Sequence, residues 1–167
     1  EIERVVDCVR AANPQSCAVC FLFAFQNPEH ERAVTDELRR SLPEIEVCAS
    51  SEVQPEFREF ERFSTTVLNA YLQPVMAQYM TELDNGLKSM VPNASFGLNQ
   101  SSGGLMSVGR AQRLPVRTAL SGPAAGVVGA AYVAGAAQRP NAITLDMGGT
   151  SADVALIRQA RIPTVFS

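Results

Sequence analysis

The sequence lacks tryptophan, contains a single histidine and draws only 7% of its 167 residues from the aromatic types. An aromatic platform on which nucleic-acid bases stack is therefore not expected. The sequence also lacks any run of Lys and Arg, and its formal net charge is −3, so neither nucleic acid nor an anionic membrane surface is indicated as a partner. No uninterrupted apolar run approaches the roughly 18 residues that a membrane-spanning helix needs, so no membrane segment is predicted.

Cysteine is also scarce, and the four cysteines are Cys8, Cys17, Cys20 and Cys48. The spacing of Cys17 and Cys20 matches half of a zinc or redox motif. No second pair of Cys or His supplies the other ligands, and residues three apart on a strand point to opposite faces. The pattern favours reduced cysteines that pack as small apolar residues in the core, which is typical of a cytoplasmic protein.

The chain does have enough apolar sequence to bury a core, since 46% of its residues are hydrophobic and 19% are charged. Its length fits one domain or two small lobes. The first residue is Glu1 rather than Met, and we expect the sequence to be an internal piece of a longer protein.

The first part of the chain predicts a βαβ unit. Residues 1–12 carry apolar residues at helical spacing, and a continuous apolar run at 17–23 predicts a buried strand. Asn27 as N-cap and Pro28 at the first helical position begin a second helix that runs to about residue 41. Residues 45–49 form the next strand. Strand, helix and strand at this spacing indicate a parallel sheet.

A long helix is predicted in the middle of the chain. Its apolar stripe recurs at steps of three or four, at Leu68, Leu72, Val75, Tyr79, Leu83 and Leu87. We expect an N-cap within residues 64–66, a kink or break at Pro74, and an end at Pro92. The charge-rich run at 52–62 is expected to form a solvated face with helical ion pairs.

The last third of the chain combines small residues with β patterns. We predict a strand at 95–99, a polar Gly-rich loop at 100–104, a short helix at 105–112 and an extended segment at Pro115 and Val116. A helix of small residues follows at 121–137. Strands at 142–145 and 152–157 are joined by a pair of glycines.

The turn between these two strands has the residue types of a phosphate site. Gly148 and Gly149 permit positive φ and close approach of the backbone, and successive N–H groups there form a nest for an anion. Thr150 and Ser151 add hydroxyl donors. Asp146, at the end of the first strand, is placed to hold Mg²⁺ directly or through water.

The same residues are compatible with an ordinary β-hairpin, in which Asp153 is either a second site carboxylate or a solvated strand residue. The helix before the hairpin favours the phosphate site, because its Ala and Gly face allows another element to approach closely. Small-residue helix, strand, D-x-G-G-T turn and strand resemble the second half of the superfamily of actin, sugar kinases and heat-shock-chaperone ATPases. The resemblance implies an α/β, ribonuclease-H-like (actin-like ATPase) fold, here partial, with a long kinked helix between sheet segments.

A closer resemblance covers nearly the whole chain. The matching segments are 27–31, 51–62, 64–72, 115–118, 121–126 and the turn that begins at Asp146. They resemble the A subunits of the hydantoinase/oxoprolinase (N-methylhydantoinase A) family, whose relatives include the acetone and acetophenone carboxylases. The resemblance implies that 1–52 is the end of an N-terminal region and that 53–167 is the start of the hydantoinase A domain with the second phosphate loop.

The family resemblance also implies a function. The parent enzyme is expected to cleave ATP with Mg²⁺ and to hydrolyse a cyclic amide whose oxygen is activated by phosphorylation, with carboxylation of a ketone as the alternative. Asp146 would hold the metal, the backbone of 148–150 would hold the phosphates, and Ser121 and Gly122 would lie at a hinge. The expected partners are a small cyclic amide or ketone substrate and a B-type subunit.

Two departures from the family pattern concern what this piece does alone. The family's first phosphate loop is missing, because no glycine precedes Gly86, and Ser102 replaces the amide in the family's Q-S-N-G-G. We expect the piece alone to be inactive. The non-enzymatic alternative is a folded fragment that binds no nucleotide or self-associates through unpaired strand edges. A sugar-kinase-like phosphotransferase is a third hypothesis.

Four further features have both a structural and a functional interpretation. His30 is expected at the surface or in a helix cap rather than as a base. Arg58 and Arg62 belong to the solvated run, with a place near the cleft as the family-based alternative. Loop 100–104 either lines the substrate side or only connects. Candidate polar residues of the cleft, with capping as the alternative, are Thr65, Thr66 and Asn69.

Overall fold

A computed structural model describes residues 1–163 of the chain. In chain order its elements are α1 Ile2–Ala12, β1 Ser16–Val19, α2 Glu29–Ser41, β2 Glu46–Ala49, α3 Ser50–Val53, α4 Glu59–Met90, β3 Leu98–Asn99, β4 Leu105–Met106, α5 Val108–Arg113, the 3₁₀ helix Pro115–Thr118, α6 Ser121–Ala136, β5 Ala142–Met147 and β6 Ala152–Ile157. They form two compact units. The first contains Glu1–Phe96 and Ser107–Val116, and the second contains Gly97–Met106 and the described residues from 117 to 163.

The first unit is built on the predicted βαβ arrangement. β1 and β2 pair in parallel, with Ser16 opposite Glu46 and Val19 opposite Ala49, and α2 makes the crossover between them. The apolar core beneath the sheet consists of Val6, Val19, Val34, Leu38, Leu42, Ile45 and Val47. The prediction of a parallel sheet is therefore confirmed.

The start of α2 is shifted by one residue from the prediction, and the end of β1 also differs. Pro28 rather than Asn27 is the N-cap and the helix begins at Glu29, although the Asn27 side-chain oxygen accepts a hydrogen bond from the N–H of Glu29 at 3.0 Å. The predicted strand at 17–23 is too long. β1 ends at Val19, and the chain then turns, with Phe23 at a φ of 58° and Leu22 68% exposed. An apolar run gives no signal for a turn that lies inside it.

The long helix α4 starts earlier than predicted and buries a different face. It runs for 32 residues through Pro74 without interruption, and residues 64–66 lie inside it rather than at its N-cap. Three of the predicted core positions are exposed: Leu68 by 48%, Val75 by 71% and Tyr79 by 54%. The buried residues are instead Arg62, Thr66, Asn69, Ala70, Gln73 and Met80. The predicted stripe is therefore wrong, because polar side chains with partners inside the unit decide which face packs.

The second unit consists of two small hairpins and one helix. β3 pairs with β4 around the Gly-rich loop, and β5 pairs with β6 over six residue pairs from Ala142–Ile157 to Met147–Ala152. α6 contacts both β5 and β6. The small-residue helix and the second hairpin are thus confirmed close to their predicted bounds.

Three short segments differ from the prediction. The strand predicted at 95–99 covers only Leu98–Asn99. Leu105 and Met106 form a strand, so α5 starts at Val108, and Pro115–Thr118 is a 3₁₀ turn rather than extended chain. A 3₁₀ turn is common between helices, and the proline ring leaves its φ suitable for either conformation.

The second unit leaves much apolar surface uncovered within the described part of the chain. No residue of α6 is buried, and the outward side chains of the hairpin include Ile143, Leu145, Met147 and Val154 with exposures of 61 to 73%. None of the helices in residues 1–163 has the length and apolar character that crossing a membrane requires. The border predicted between residues 52 and 53 stays a prediction, and residues 164–167 of its second region lie outside the described part.

Candidate functional site

Two aspartates lie directly opposite each other at the turn end of the second hairpin. Asp146 on β5 pairs in register with Asp153 on β6. Side chains that are directly opposite in an antiparallel pair lie on the same face of the sheet, with Cβ atoms about 4.5–5.5 Å apart. Like charges at this spacing repel each other, so the pair is an unfavourable arrangement unless a cation or a donor compensates it. The pair is therefore a candidate site for a cation.

The face that carries this pair is the one that packs toward α6. Asp146 and Asp153 line a cavity of about 400 Å³ together with Pro123, Gly126 and Ala130 of the helix. A Cβ placed on Gly126 would lie 3.9 Å from Oδ2 of Asp146. The small residues of α6 therefore let the helix backbone come close to the carboxylate, as the Ala and Gly pattern predicted.

The turn is closed by a backbone hydrogen bond, in which the N–H of Gly148 donates to the carbonyl of Ser151 at 2.9 Å. Within the described part of the chain the glycines with positive φ are Gly103 and Gly104, so neither Gly148 nor Gly149 uses the left-handed conformation that glycine permits. An added Cβ would meet Ser151 O at 3.9 Å from Gly148 and nothing within 4 Å from Gly149. The space over the turn is open.

The hydroxyl groups of the turn face solvent. Thr150 and Ser151 are exposed, as are the two aspartates. All of the predicted turn residues thus lie on one accessible loop between β5 and β6. The structure brings together the residues predicted for the phosphates and for the metal.

The predicted hinge residues lie at the first turn of α6. Ser121 and Gly122 are its first two residues, and Leu120 before them has a φ of 57° in the left-handed region. No side chain among residues 1–163 caps this helix end. The lining of the aspartate cavity begins one residue later, at Pro123, so neither Ser121 nor Gly122 takes part in it.

A second cluster of functional-type side chains lies in the first unit and was not predicted. Glu31 and Arg62 are both fully buried, and the hydroxyl of Ser50 lies between them. Ser50 donates to Glu31 Oε1 at 2.6 Å and accepts from Arg62 Nε at 3.0 Å. Glu31 also accepts the backbone N–H groups of Phe21 at 2.7 Å and Ser51 at 2.8 Å. Arg62 donates to the carbonyls of Glu56 and Phe21.

The helical spacing of Glu31 relative to the apolar residues of α2 could have predicted that this carboxylate is buried. Glu31 is in phase with Val34, Thr35 and Leu38, which are the other buried residues of α2. A charged residue on the apolar face of a helix is buried with it and needs partners. Arg62 similarly shares the buried face of α4, so its assignment to a solvated run is wrong, whereas Arg58 is 51% exposed as predicted.

Of the three other polar candidates near the start of α4, Thr65 is half-buried, and Thr66 and Asn69 are held by hydrogen bonds inside the first unit. Thr66 donates to the carbonyl of Arg62 at 2.6 Å. Asn69 donates to the carbonyl of Arg113 at 3.0 Å and accepts from the N–H of Val116 at 3.3 Å. The Thr66 bond stays within α4, whereas Asn69 binds the last carbonyl of α5 and an N–H in the first turn of the 3₁₀ helix, which is a capping contact at both helix ends.

Two further candidates, His30 and loop 100–104, lie at the surface. His30 is exposed on the first turn of α2, as predicted. Loop 100–104 is the turn of the β3–β4 hairpin, in which the N–H of Gln100 donates to the carbonyl of Gly104 at 3.0 Å and both glycines have positive φ. Ser102 is at the exposed tip of this turn.

The cysteines are all unpaired thiols, and their burial differs. Cys48 is buried, Cys17 and Cys20 are half-buried, and Cys8 is exposed, so the prediction of a core position is wrong for Cys8. Burial raises the pKa of Cys48 to about 11, and burial followed by the negative charge of Glu31 raises the pKa of Cys20 to about 11. Within residues 1–163 no three Cys, His, Asp or Glu side chains are close enough together to hold a metal ion.

Comparison with known proteins decides the family. The sequence profile described as hydantoinase/oxoprolinase matches residues 62–167. The chain belongs to the hydantoinase/oxoprolinase family. Its hydantoinase/oxoprolinase relatives include the alpha subunit of caprolactamase from Pseudomonas jessenii, which is 36% identical over 96% of this chain, and the beta subunit of acetone carboxylase from Xanthobacter autotrophicus, which is 35% identical over 91%.

Two further similarities extend the comparison. The 5-oxoprolinase of Saccharomyces cerevisiae is 34% identical over 99% of this chain. The nucleotide-free structure of an acetone carboxylase, from a study of ATP-dependent acetone carboxylation, superposes with a TM-score of 0.76 at 32% identity over 95% of this chain and 23% of that chain. The chain spans 23% of the length of the caprolactamase subunit, 22% of the acetone carboxylase subunit and 13% of the yeast oxoprolinase. It therefore corresponds to one part of these hydantoinase/oxoprolinase proteins.

Proposed function

We propose that the β5–β6 turn is the second phosphate loop of an ATP-dependent enzyme that hydrolyses a cyclic amide. The observation that carries this proposal is the opposed pair Asp146 and Asp153, which lies at the base of a Gly-Gly-Thr-Ser turn and faces the small-residue helix. A carboxylate pair next to an open loop with N–H and hydroxyl donors is the chemistry that a Mg-nucleotide requires.

The residues of the pair fit a magnesium ion. Mg²⁺ prefers oxygen ligands and is usually held by one or two carboxylates together with water and phosphate oxygens. Asp146 is the proposed ligand, and Asp153 opposite it supplies the second negative charge. When bound there, the ion would neutralise negative charge on the phosphates. It would also relieve the repulsion between the two aspartates.

The turn supplies the contacts to phosphate oxygens. Because the N–H of Gly148 is used inside the turn, we assign the phosphate-facing N–H groups to Gly149 and Thr150. The hydroxyl groups of Thr150 and Ser151 add two donors on the same exposed loop. The open space over Gly149 leaves room for a phosphate group to approach the backbone.

The proposed fold is part of an actin-like ATPase. This assignment is supported by three local features, which are the small-residue helix α6, the antiparallel hairpin and the Gly-Gly turn. The superposition with an acetone carboxylase at a TM-score of 0.76 agrees with it. Ser121 and Gly122 are then proposed hinge residues, since they start α6 and follow a residue in the left-handed conformation. The first phosphate loop would come from outside this sequence, so we propose that this chain alone is inactive.

The proposed reaction uses ATP to activate the amide oxygen of a lactam. Transfer of the γ-phosphoryl group to that oxygen makes the ring carbon more electrophilic, after which water opens the ring and phosphate is released. Two relatives are named for lactam substrates, caprolactamase and 5-oxoprolinase, which supports this reaction over others. Carboxylation of a ketone is the second candidate, since an acetone carboxylase is also among the relatives and the structural neighbours.

A B-type partner subunit belongs to the same proposal. Three relatives are named as single subunits: the caprolactamase alpha subunit, the acetone carboxylase beta subunit and the acetophenone carboxylase gamma subunit. A cytoplasmic location, expected from the reduced cysteines, stays a prediction.

The test is a titration with Mg-ATP of this chain and of a polypeptide extended to the length of its relatives. We expect the extended chain to bind, Asp146→Asn to weaken binding at least tenfold, and Asp36→Asn, a change at an aspartate whose side chain is 76% exposed on α2, to leave it unchanged. An extended chain that binds no nucleotide would show the ATP assignment to be wrong. ATP hydrolysis by the 167-residue chain alone would show that the half site is sufficient. Product analysis separates lactam opening from ketone carboxylation and from sugar phosphorylation.

A further inference from the structure

A small cavity in the first unit lies apart from the aspartate pair and has no role in the reaction proposed above. Its volume is about 230 Å³, and it lies between α2, β2, α3, α4 and α5. This is smaller than the roughly 300–1,000 Å³ typical of pockets for drug-sized ligands. Its charged and amide side chains are Arg39, Glu52, Gln73, Arg110 and Arg113. The volume limits any occupant to a compact molecule.

One arginine of the cavity is already neutralised. Arg39 donates from Nη1 and Nη2 to the two carboxylate oxygens of Glu52 at 3.2 and 2.8 Å, and from Nε and Nη2 to the carbonyl of Val47. The hydrogen bond to Glu52 raises the pKa of Arg39 above its usual value. Together Arg39 and Glu52 contribute no net charge to the cavity.

The other two arginines have no acidic partner in the described part of the chain. Arg110 and Arg113 are one turn apart on α5, and within residues 1–163 neither forms an ion pair. Like charges three residues apart on a helix repel each other. The cavity therefore has two uncompensated positive charges on one wall, which is a suitable surface for a carboxylate or phosphate group.

The wall formed by α4 offers a hydrogen-bond acceptor, so it favours a ligand that carries a donor. Gln73 lines the same cavity and is only 2% exposed, and its Oε1 has no hydrogen-bond partner among the described residues. Leaving a buried acceptor without a donor costs about 1–3 kcal/mol. A ligand that brings an N–H or O–H group to this oxygen regains that energy, and Glu52 retains free lone pairs for a second donor.

We infer that this cavity binds a small carboxylate that carries an N–H donor, with the carboxylate on Arg110 and Arg113 and the N–H group on Gln73. N-acetylglycine has both groups in a molecule of suitable size. Acetate offers the carboxylate alone, N-methylacetamide offers the N–H group alone, and inorganic phosphate offers charge without an amide. Comparing the four compounds therefore distinguishes the contribution of the carboxylate group to binding from that of the N–H group.

The experiment is calorimetric titration of the 167-residue chain with each compound at low salt and without nucleotide. We expect N-acetylglycine to bind at least tenfold more tightly than acetate, which corresponds to about 1.4 kcal/mol for the contact with Gln73. Arg110→Gln and Arg113→Gln are each expected to weaken both carboxylates about tenfold. Arg32→Gln is the matched control, since Arg32 is exposed on α2 and does not line the cavity.

The variant Gln73→Met tests the amide contact separately. It keeps the length of the side chain and removes the acceptor, so the preference for N-acetylglycine over acetate should disappear while acetate binding remains. Equal binding of acetate and N-acetylglycine to the unsubstituted chain would overturn the inference. So would phosphate binding as tightly as N-acetylglycine, full binding by an Arg110→Gln/Arg113→Gln double variant, or no saturation by any of the compounds at millimolar concentration. Because both arginines are exposed, their variants keep the fold and the result can be interpreted.

Discussion

Arg62 and Glu31 are joined through one hydroxyl group, that of Ser50, which accepts from the arginine at 3.0 Å and donates to the carboxylate at 2.6 Å. All three residues are fully buried. Ser50→Ala removes the bridge and leaves the Nε of Arg62 without an acceptor. We expect the free energy of unfolding to fall by about 2–3 kcal/mol, because hydrogen bonds to charged groups are worth more than neutral ones. Urea unfolding followed by circular dichroism measures this.

Ser64→Ala is the matched control for that substitution. Ser64 is an exposed serine on α4, one turn from the same cluster. We expect a change within about 0.5 kcal/mol there. Equal stability losses at Ser50 and Ser64 would contradict the bridging role.

Glu31→Gln tests the carboxylate itself. Glu31 accepts three hydrogen bonds, from Phe21 N, Ser50 Oγ and Ser51 N, and an amide would place donors against one or two of these donors. The ion pair between Arg62 and Glu59, at 3.7 Å, would remain. We expect a loss of about 1–3 kcal/mol in stability for each buried donor that is left without an acceptor. In a double-mutant cycle with Ser50→Ala, additive losses would contradict the network, since groups in one network couple by about 0.5–3 kcal/mol.

Substitutions at Gly149 and at Gly104 are expected to have different effects. Gly149 is proposed to be needed for ligand binding, and Gly104 for the fold. A Cβ at Gly149 meets nothing within 4 Å and its φ is not positive, so Gly149→Ala should leave stability unchanged. Gly104 has a φ of 79°, so Gly104→Ala should cost about 1–2 kcal/mol. In the extended chain we expect the opposite order for Mg-ATP affinity, with a loss at Gly149 only. Stability comes from thermal unfolding and affinity from titration, and unchanged affinity in Gly149→Ala would remove this glycine from the proposed phosphate loop.

The thiols are predicted to differ in reactivity and in pH dependence. With a pKa of about 11, roughly a thousandth of Cys48 is thiolate at pH 8, whereas Cys8 is exposed. We expect iodoacetamide to label Cys8 first, and labelling of Cys48 to accelerate as the pH rises toward 11. Mass spectrometry of digested peptides measures both rates. Equal labelling of the two residues at pH 8 would show that Cys48 is accessible.

The same pKa shift predicts how stability depends on pH. The folded state raises the pKa of Cys48 from 9.0 to about 11, so the folded state favours the protonated thiol. This contribution is fully present below pH 9 and is lost as the pH rises through 11. Stability should therefore fall across this window. The fall should be smaller in Cys48→Ala, and an identical pH profile for the two proteins would contradict the shift.

The outward face of the β5–β6 hairpin is predicted to cause self-association. Ile143 is 73% exposed and Leu145 61%, next to a sheet that has only two strands. Ile143→Thr with Leu145→Thr should lower the apparent mass at high micromolar concentration in sedimentation experiments, because less apolar area is buried between copies. Val75→Thr, at a helix position that is 71% exposed, is the control. A monomeric unsubstituted chain would leave this face without a role in association.

The sequence predicted the local elements better than it predicted the packing. The βαβ unit, α6 and the second hairpin follow from periodicity and turn chemistry, which act over a few residues. The buried face of α4 does not, because Arg62 and Asn69 pack inward through partners that lie far away in the chain, and Gln73 faces a cavity that other elements complete. The aspartate pair was only half predicted, since Asp146 stood out beside the glycines but the register with Asp153 depends on the turn.

The composition of α6 has a thermodynamic consequence for the site. Four of its 16 residues are glycines, at 122, 126, 129 and 135, and each costs about 1 kcal/mol in helix formation relative to alanine. The gap that admits Asp146 thus comes from a helix with a low intrinsic tendency to form, and none of its residues is buried in the described chain. Local opening of this helix should require little free energy, and covering it should slow that opening. The rate of amide hydrogen exchange along α6 would then report on assembly. Exchange should be fast in the isolated chain and slow once the rest of an enzyme covers the turn.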